Sequence, residues 1–247
     1  MSNENLVRIN KFLSEIGYCS RREADKLIDQ GRVKINGETS LMGAKITNKD
    51  EVTINGEVVH RPKNKKMVYI AFNKPIGVVC TTDNKREKNN IIDFIKYPSR
   101  IFPIGRLDKL SEGLIFLTND GDIVNKILRA RNNHEKEYEV TVDKPITKEF
   151  VYAMGNGLPI LDTVTRKCFV KQIHKKKFKI ILTQGLNRQI RRMCEHLDYD
   201  VKKLKRIRVM NIHLDIPVGT YRHFTKKELN QINQSVEHSI KTYESDN

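Results

Sequence analysis

A short polar segment limits how this chain can fold, because it separates two regions whose sequence patterns differ. Residues 60–66, HRPKNKK, are charged and contain a proline, which is typical of a linker; a surface loop within one domain is the alternative. We therefore predict a small domain at 1–60, a linker at 61–67 and a larger domain at 68–240. The final residues, 241–247, are predicted to form a disordered tail.

The N-terminal region carries helix signals and then hairpin signals. Apolar residues recur at helical spacing from 9 to 16, and Gly17 is expected to end that helix. The string SRRE at 20–23 has the form of a capping box that opens a second helix. Asn-Gly follows a strand-like run at 36–37 and again at 55–56, and both residue types tolerate the positive φ of a hairpin turn. We predict two helices and a small β unit.

The larger region interleaves strand-like and helix-like stretches without a clean βαβ repeat. Strands are predicted at 68–72, 77–81, 114–118, 138–142, 179–183, 207–209 and 212–214, and helices at 122–129, at 187–197 and from 225, whereas 91–95 fits either. This order predicts an α+β fold with a mixed, mainly antiparallel sheet.

The net charge of +16 and the sequence pI near 9.7 indicate a polyanionic partner. Residues 164–213 hold 15 Lys and Arg against 3 Asp and Glu, whereas residues 1–62 are close to neutral. A membrane is the rival polyanion, but no run approaches the ~18 apolar residues of a spanning helix, and no secretory signal is visible. The four scattered cysteines form no CxxC pair, which favours a reducing, cytoplasmic setting.

The ten residues at 105–114, GRLDKLSEGL, contain the strongest candidate for catalysis. Asp108 follows Arg106 by two residues and precedes an apolar strand at 114–118. A carboxylate beside a cation is favoured in its ionised form, and at the edge of a buried strand it can act as a nucleophile. The alternative is a surface ion pair before a strand.

The predicted helix at 187–197 separates its apolar residues from three arginines, Arg188, Arg191 and Arg192. Guanidinium groups on one face suit phosphate contacts, and the cations that follow at 202–208 are costly to crowd together without an anion. The alternative is a solvated basic face.

Lys136 and Tyr138 share one face of a predicted strand, where the tyrosine is either a core residue or a ring that stacks on a nucleobase. No GxGxxG, P-loop, GxSxG or HExxH string is present, and the histidines lack ligand spacing. We therefore predict no cofactor and no metal.

Basic residues are also interleaved with the apolar positions of the N-terminal region. They form either a compact basic surface or scattered surface charge, and they are Arg8, Lys11, Arg21, Arg22, Lys26, Arg32 and Lys34.

Longer strings in the chain resemble a known family. Residues 6–59, with SRREADKLIDQGRVKING, resemble an S4 RNA-binding domain. Residues 67–230 resemble the catalytic domain of bacterial ribosomal RNA pseudouridine synthases through FNKPIGVVCT (72–81), FPIGRLDKLSEGLIFLTNDG (102–121), HEKEYEVTVD (134–143) and QGLNRQIRRMCEHLDYDV (184–201). HEKEYEVTVDKPIT and GLNRQ are most similar to the large-subunit group F of that family.

The resemblance implies an enzyme that converts a uridine of RNA to pseudouridine without a cofactor. It implies that Asp108 is the essential catalytic carboxylate, that Arg106 holds it and fills the space of the flipped base, and that Tyr138 stacks on the uracil. RNA contacts are implied for Arg106, Leu107, Asp108, Lys109, Arg188, Gln189, Ile190, Arg191 and Arg192, and for Arg8, Lys11, Arg21, Arg22, Lys26 and Arg32. Lys74, in the first string, is also counted among the RNA-binding residues and is expected to support the fold or to make a backbone contact.

The implied substrate is 23S ribosomal RNA, and a tRNA anticodon loop stays open as a second one. The alternatives are the same chemistry on 16S ribosomal RNA and a non-catalytic RNA-binding assembly factor, which the intact Arg106, Asp108 and Tyr138 disfavour. We expect a monomer without a membrane partner. Leu186 occupies a position where sister enzymes commonly carry a cation that pairs with the aspartate, so Arg106, Arg191 or another cation is expected to take that role.

Overall fold

The computed structural model describes residues 6–62, 66–83, 86–129, 132–237 and 239. The chain divides into two compact units, Met1–Met67 and Val68–Asn247. The predicted tail at 241–247 and residues 63–65 of the predicted linker lie outside the described residues. The domain limits drawn from the sequence therefore stay a prediction.

The N-terminal unit contains two helices and six short strands in its described part. They are β1 (Val7–Arg8), α1 (Ile9–Glu15), α2 (Arg21–Asp29), β2 (Val33–Ile35), β3 (Glu38–Thr39), β4 (Lys45–Ile46), β5 (Val52–Ile54) and β6 (Glu57–Val58). Strands β3, β2, β5 and β6 form an antiparallel sheet in that order, and β1 pairs with β4.

Local sequence signals account for the turns and helix ends of this unit. Asn36 and Gly37 have φ values of 51° and 87°, as the Asn-Gly hairpin between β2 and β3 requires. The Ser20 side chain accepts a hydrogen bond from the Glu23 backbone N–H at 3.1 Å, which caps α2. The apolar faces of α1 and α2 pack against β2 and β5. The predicted pair of helices and small β unit are present.

The C-terminal unit contains the larger sheet and five helices in its described part. Its elements are β7 (Tyr69–Lys74), α3 (Ile91–Ile95), β8 (Phe102–Ile104), β9 (Glu112–Thr118), α4 (Gly121–Leu128), β10 (Lys136–Val142), α5 (Lys148–Asn156), β11 (Pro159–Ile160), β12 (Thr163–Val164), β13 (Phe169–His174), β14 (Lys177–Leu182), α6 (Gln189–His196), β15 (Val201–Val209), β16 (Ile212–His213), β17 (Tyr221–His223) and α7 (Lys226–Val236). None of the described helices is both long and apolar enough to cross a bilayer.

The large sheet is mixed and mainly antiparallel. Seven strands follow the order β13-β14-β10-β15-β9-β7-β17, while β8 pairs with β9 and β16 pairs with β15. The pairing of β9 with β15 is parallel, and the other described pairs of this sheet are antiparallel. The predicted α+β class with a mixed, mainly antiparallel sheet is therefore confirmed.

The two ends of this sheet are covered differently. Strands β7 and β9 are buried along nearly their whole length, because one apolar cluster that includes α3, α5 and α6 lies on one side and a second, with α4 and α7, lies on the other. Strands β13, β14 and β10 and the first half of β15 contribute to the first cluster alone. Their other side carries mostly polar side chains, and no described helix of this unit packs on it.

Several local interpretations of the sequence need correction. Residues 91–95, which fitted helix or strand, form the helix α3. The strand predicted at 77–81 is wrong: apart from one isolated bridge between Val79 and Asn90, this segment is a loop. Strand β15 begins at Val201, six residues before its predicted start.

Candidate active site

A cavity of about 670 Å³ opens in the C-terminal unit against the central strands β10 and β15 of the large sheet. It lies between the loop that carries Asp108, these two strands, and the loop that leads into α6. Its lining residues are Val79–Thr81, Gly105–Lys109, Ser111, Leu128, Lys136, Tyr138, Leu182, Gln184–Arg191, Leu204 and Arg206. The Asp108 loop, the strand with Lys136 and Tyr138, and the segment with Arg188 and Arg191 therefore all line one cavity.

The Asp108 loop is fixed by backbone contacts. The Asp108 carbonyl accepts a hydrogen bond from the Ser111 N–H at 3.0 Å, and the Lys109 carbonyl accepts one from the Gly77 N–H at 2.7 Å. Gly105 opens the loop with φ 77°, and a Cβ at this position would lie 2.8 Å from Leu128 Cδ2. The loop holds the Asp108 carboxylate at the cavity wall, with 38% of its side chain exposed.

Arg191 is the cation that faces Asp108. Its Nε lies 3.9 Å from Asp108 Oδ2, which is ion-pair distance but too long for a hydrogen bond. The guanidinium is held from behind, because Nη2 donates to the Leu110 carbonyl (2.9 Å) and Ser111 Oγ (3.3 Å) while Nη1 donates to the Val201 carbonyl (3.2 Å). Burial lowers the pKa of Arg191, and Asp108 opposes that shift.

Arg106 does not hold the aspartate, contrary to the expectation from the resemblance. Its side chain is exposed, and it makes no hydrogen bond or ion pair with any residue in the described ranges. Arg106 lines the cavity all the same, as does Leu186, the residue that replaces the expected cation. Of the cations left open by the sequence, Arg191 is the one that pairs with Asp108.

The prediction that Arg188, Arg191 and Arg192 lie together on one face of α6 is wrong. Arg188 is exposed just before the helix, with φ 49°, and Arg192 is half-buried, with its Nε donating to the Asn187 carbonyl at 3.1 Å. Arg191 instead points inward and is buried. Two arginines of this segment thus remain accessible to phosphate, and the third belongs to the cavity wall.

Four further residues with implied RNA contacts lie in or at the cavity. Leu107, Gln189 and Ile190 are buried, and the Gln189 Oε1 accepts a hydrogen bond from the Leu186 N–H at 3.0 Å. Lys109 is exposed, with its Nζ 3.5 Å from Glu87 Oε2. All four line the cavity, and their contact with RNA stays a prediction.

Lys74 lies where no ligand could reach it, so a contact with RNA is wrong for this residue. Its side chain is fully buried, and Nζ donates to the carbonyls of Pro75 (2.9 Å) and Val78 (2.8 Å). Burial lowers the pKa of Lys74. The residue closes the turn that follows β7, which agrees with the structural alternative.

Tyr138 and Lys136 project from the same face of β10 into the cavity, as their spacing predicted. Tyr138 is buried, and the Arg206 Cζ lies 6.0 Å from the centroid of its ring. Tyr138 pairs with Arg206 across the β10–β15 ladder, next to an irregularity in register between Glu137 and Tyr138. The ring is thus one wall of the space beside Asp108.

Two buried cations of the cavity were not identified from the sequence as site residues. The Lys136 Nζ donates to the His134 carbonyl at 3.1 Å, and the Arg206 Nε donates to the Leu114 carbonyl at 2.6 Å. Burial, together with the charge of Arg206, lowers the pKa of Lys136 to about 8. Lys136 could have been found from its shared strand face with Tyr138, whereas Arg206 was hidden within a basic run.

The charge of the lining is strongly one-sided. Among the residues that line the cavity, six are cations and Asp108 is the one carboxylate; the cations are Arg106, Lys109, Lys136, Arg188, Arg191 and Arg206. In the described ranges, no three His, Cys, Asp or Glu side chains lie together as a metal site would need. A polyanion that presents one reactive centre to one carboxylate fits this arrangement.

The cations predicted in the N-terminal unit are mostly accessible. Arg8, Arg22 and Lys26 are exposed, and so are Arg21, whose Nη2 donates to Asn10 Oδ1 at 3.3 Å, and Arg32, whose Nε donates to Asn55 Oδ1 at 2.8 Å. Lys11 is half-buried, with its Nζ 3.4 Å from Glu15 Oε1. Their role in RNA binding stays a prediction.

Comparison with known proteins agrees with the fold and the cavity. Residues 68–196 match the family model for RNA pseudouridylate synthase, and residues 7–40 match the S4 domain. The chain is 54% identical over 240 residues to the dual-specificity RNA pseudouridine synthase RluF of Escherichia coli K12, covering 97% of this chain and 82% of that protein.

More distant relatives agree. The chain is 33% identical over 242 residues to the ribosomal large subunit pseudouridine synthase B of Bacillus subtilis 168, covering 94% of this chain and 98% of that protein. A crystal structure of a pseudouridylate synthase superposes with a TM-score of 0.68 at 28% identity, over 92% of this chain and 99% of the other. The chain therefore belongs to the RNA pseudouridylate synthase family, carries an S4 domain at its N-terminal end, and is an RNA pseudouridine synthase.

Proposed function

We propose that this enzyme converts a uridine of large-subunit (23S) ribosomal RNA to pseudouridine, with a tRNA anticodon loop as a second substrate. The observation that carries the proposal is Asp108, which is the one carboxylate among the described residues of a basic cavity and is paired with a buried arginine. The names of two relatives support the choice of RNA, since one is a dual-specificity enzyme and the other a large-subunit enzyme.

Binding begins with extrusion of the target nucleotide. A stacked uridine hides its sugar–base junction, so it must leave the stack at a cost of a few kcal/mol. The cavity volume lies in the range of small-ligand sites. An aromatic ring can return about 1–3 kcal/mol by stacking on the base, and Tyr138 supplies such a ring beside Asp108.

The isomerisation balances without a cofactor. The bond between C1′ and N1 breaks, a bond between C1′ and C5 forms, C5 loses a proton and N1 gains one. The Asp108 carboxylate assists by attacking the base, by attacking C1′, or by removing a ribose proton. Detachment of the base leaves negative charge on the uracil ring, and the buried cations Lys136 and Arg206 favour that charge electrostatically.

Arg191 prepares the carboxylate for this step. Its guanidinium is anchored by three hydrogen bonds to atoms other than Asp108, so its position does not depend on the carboxylate. Its buried Nε–H has no hydrogen-bond partner in the described ranges. A shift of Asp108 by less than 1 Å would bring the two groups into hydrogen-bond range, and such contacts often shorten when a substrate binds.

Substitution of Asp108 tests the proposal directly. We expect Asp108→Asn to lower the single-turnover rate on a target-site transcript at least a hundredfold, with RNA affinity unchanged within a few-fold. Asp198→Asn, an exposed residue outside the cavity, is the matched control and should keep the wild-type rate. Full activity of the Asp108 variant would overturn the catalytic assignment.

Carbodiimide mapping of pseudouridine in ribosomal RNA and tRNA from cells that lack this protein tests the substrate. Loss of a site in 23S RNA and of one in tRNA is the expected result. Loss of a site in 16S RNA alone would replace the proposed substrate without changing the proposed chemistry.

A further inference from the structure

One side of the large sheet, along β13, β14, β10 and β15 up to Arg208, has no described helix of the C-terminal unit packed on it, and we call this side the open face. It is formed by the residues of β13, β14, β10 and β15 whose side chains lie on the side opposite the apolar cluster. The cavity lies on the other side, because Lys136 and Tyr138 alternate along β10 with Glu137 and Glu139. The open face is therefore separate from the active site.

The strand register places the side chains of the open face in three rows across four strands. One row runs Lys171, Lys179, Glu139, Lys205, and the next runs His174, Lys177, Thr141, Lys203. The third runs Phe169, Ile181, Glu137, Arg208. With strands about 4.8 Å apart, the outer members of a four-residue row are roughly 14 Å apart.

The carboxylates of this face are already neutralised. Glu137 accepts from Lys179 Nζ (2.7 Å) and Arg208 Nε (2.7 Å), and Glu139 pairs with Lys177. Glu137 and Glu139 are therefore each neutralised by a neighbouring cation, and the other cations of the open face are not required as their partners.

Three lysines remain in excess. The side chains of Lys171, Lys203 and Lys205 make no hydrogen bond or ion pair with another residue of the described ranges. Lys171 lies directly opposite Lys179, whose Nζ is held by Glu137, so the charge of Lys171 meets no free acid on the neighbouring strand. An anion bound on this face would supply the missing countercharge.

An apolar stripe accompanies this excess charge. On β13, the last strand on this side of the sheet, Phe169 lies two residues before Lys171 on the same face, opposite Ile181 of β14, and is 52% exposed. An exposed ring between cations is typical of a surface that binds single-stranded or looped RNA, where the ring stacks on a base and the lysines contact phosphates.

We propose that the open face binds RNA, at a segment of a large folded substrate other than the one that enters the cavity. The proposal rests on the RNA substrate proposed above. The two sites are on opposite sides of the sheet, so one short stretch of RNA would have to pass around β13 to reach both. A short stem-loop with the target uridine therefore uses the cavity alone, whereas a folded ribosomal RNA domain uses both.

The test compares two triple variants on two RNAs. Lys171→Gln, Lys203→Gln and Lys205→Gln together remove the excess charge and leave the Glu137 and Glu139 pairs intact. Lys148→Gln, Lys226→Gln and Lys227→Gln remove the same charge from exposed positions of the same unit and serve as the control. Affinity is measured by filter binding for a folded 23S RNA domain and for the target stem-loop, over a range of salt concentrations.

The open-face variant should bind the folded domain about tenfold more weakly, with the slope of log affinity against log salt reduced by about 2 to 3. Its affinity and rate on the stem-loop should equal those of the wild type. Phe169→Ala should weaken binding of the folded domain about fivefold or more without changing the salt slope. Hydroxyl-radical footprinting should show a protected segment, away from the target, that the triple variant loses.

Three outcomes would overturn the proposal. The first is that the open-face variant binds the folded domain as tightly as the wild type, which would leave an acidic protein as the occupant of this face. The second is that the control variant loses as much affinity as the open-face variant. The third is that the open-face variant loses as much affinity for the stem-loop as for the folded domain. Failure of the proposed function looks different, because the wild type would then not isomerise either RNA. The binding comparison does not require turnover and would still decide between the outcomes.

Discussion

At the scale of single residues, two arginines neighbour Asp108 and contribute differently to stability. Arg106 is its neighbour in sequence, and Arg191 is its neighbour in space. We expect Arg106→Gln, at an exposed position, to change the free energy of unfolding by less than about 0.5 kcal/mol. Arg191→Gln should cost about 2–3 kcal/mol, because three carbonyl and hydroxyl acceptors lose their donor, and should also lower the single-turnover rate. Urea unfolding and rate measurements on both variants check this; equal stability losses would contradict it.

Loss of the buried ammonium of Lys136 is expected to stabilise the protein, whereas loss of the Arg191 guanidinium is expected to destabilise it. Its pKa of about 8 in the folded protein, against 10.5 ordinarily, means that below pH 8 the fold holds a charge at a cost. Lys136→Met should therefore raise the free energy of unfolding at pH 7, by about 1–2 kcal/mol once the lost bond to His134 is deducted. The same change should lower the rate if the ammonium stabilises charge on the uracil.

The pH dependence separates this effect from simple repacking. Between pH 8 and 10.5 the unfolded protein binds more protons at this residue than the folded protein does, so the contribution of Lys136 to stability rises with pH. The advantage of Lys136→Met should shrink from pH 7 to pH 9.5. Denaturant titrations of both proteins at the two pH values check the sign, and a variant less stable than the wild type at pH 7 would contradict it.

At the scale of elements, the parallel contact of β9 with β15 sets the cavity wall. Gly113 has φ 107°, and a Cβ there would lie 2.2 Å from the Arg206 carbonyl oxygen. Gly113→Ala should destabilise the protein by about 3 kcal/mol or more and displace Arg206 from Tyr138. Gly121→Ala, where nothing lies within 4 Å, is the matched control and should change stability by less than about 1 kcal/mol. Calorimetry of both variants decides.

Elements with local signals were predictable from the sequence, and those that depend on distant partners were not. The Asn-Gly turns and the helix cap at Ser20 have their cause within four residues, and both are present. The start of β15 was missed because its lysines face the open side, where no apolar alternation is required. The cation that meets Asp108 was left open because Arg191 is 83 residues away in sequence, and only the packing of α6 against the Asp108 loop brings the two together.

At the scale of the whole molecule, the two units are expected to divide binding and chemistry. Removal of residues 1–60 deletes the exposed cations Arg8, Arg21, Arg22, Lys26 and Arg32 but no residue of the cavity. We expect RNA affinity to fall by about ten- to a hundredfold and site choice to become less selective, with the rate at saturating protein unchanged. Unchanged affinity would remove the RNA-anchoring role of the unit, and a lost rate would mean that it helps to form the active site.

The uneven distribution of charge makes the salt dependence of this truncation informative. Residues 1–60 hold 9 Lys and Arg against 9 Asp and Glu, so the truncated protein keeps the whole net charge of +16. Each neutralised phosphate of single-stranded RNA contributes about 0.7 to the slope of log affinity against log salt. The truncated protein should therefore keep most of the slope while it loses affinity, since most phosphate contacts remain. A slope that falls in proportion to the lost affinity would instead assign the phosphate contacts to the N-terminal arginines, despite the neutral total charge of their unit.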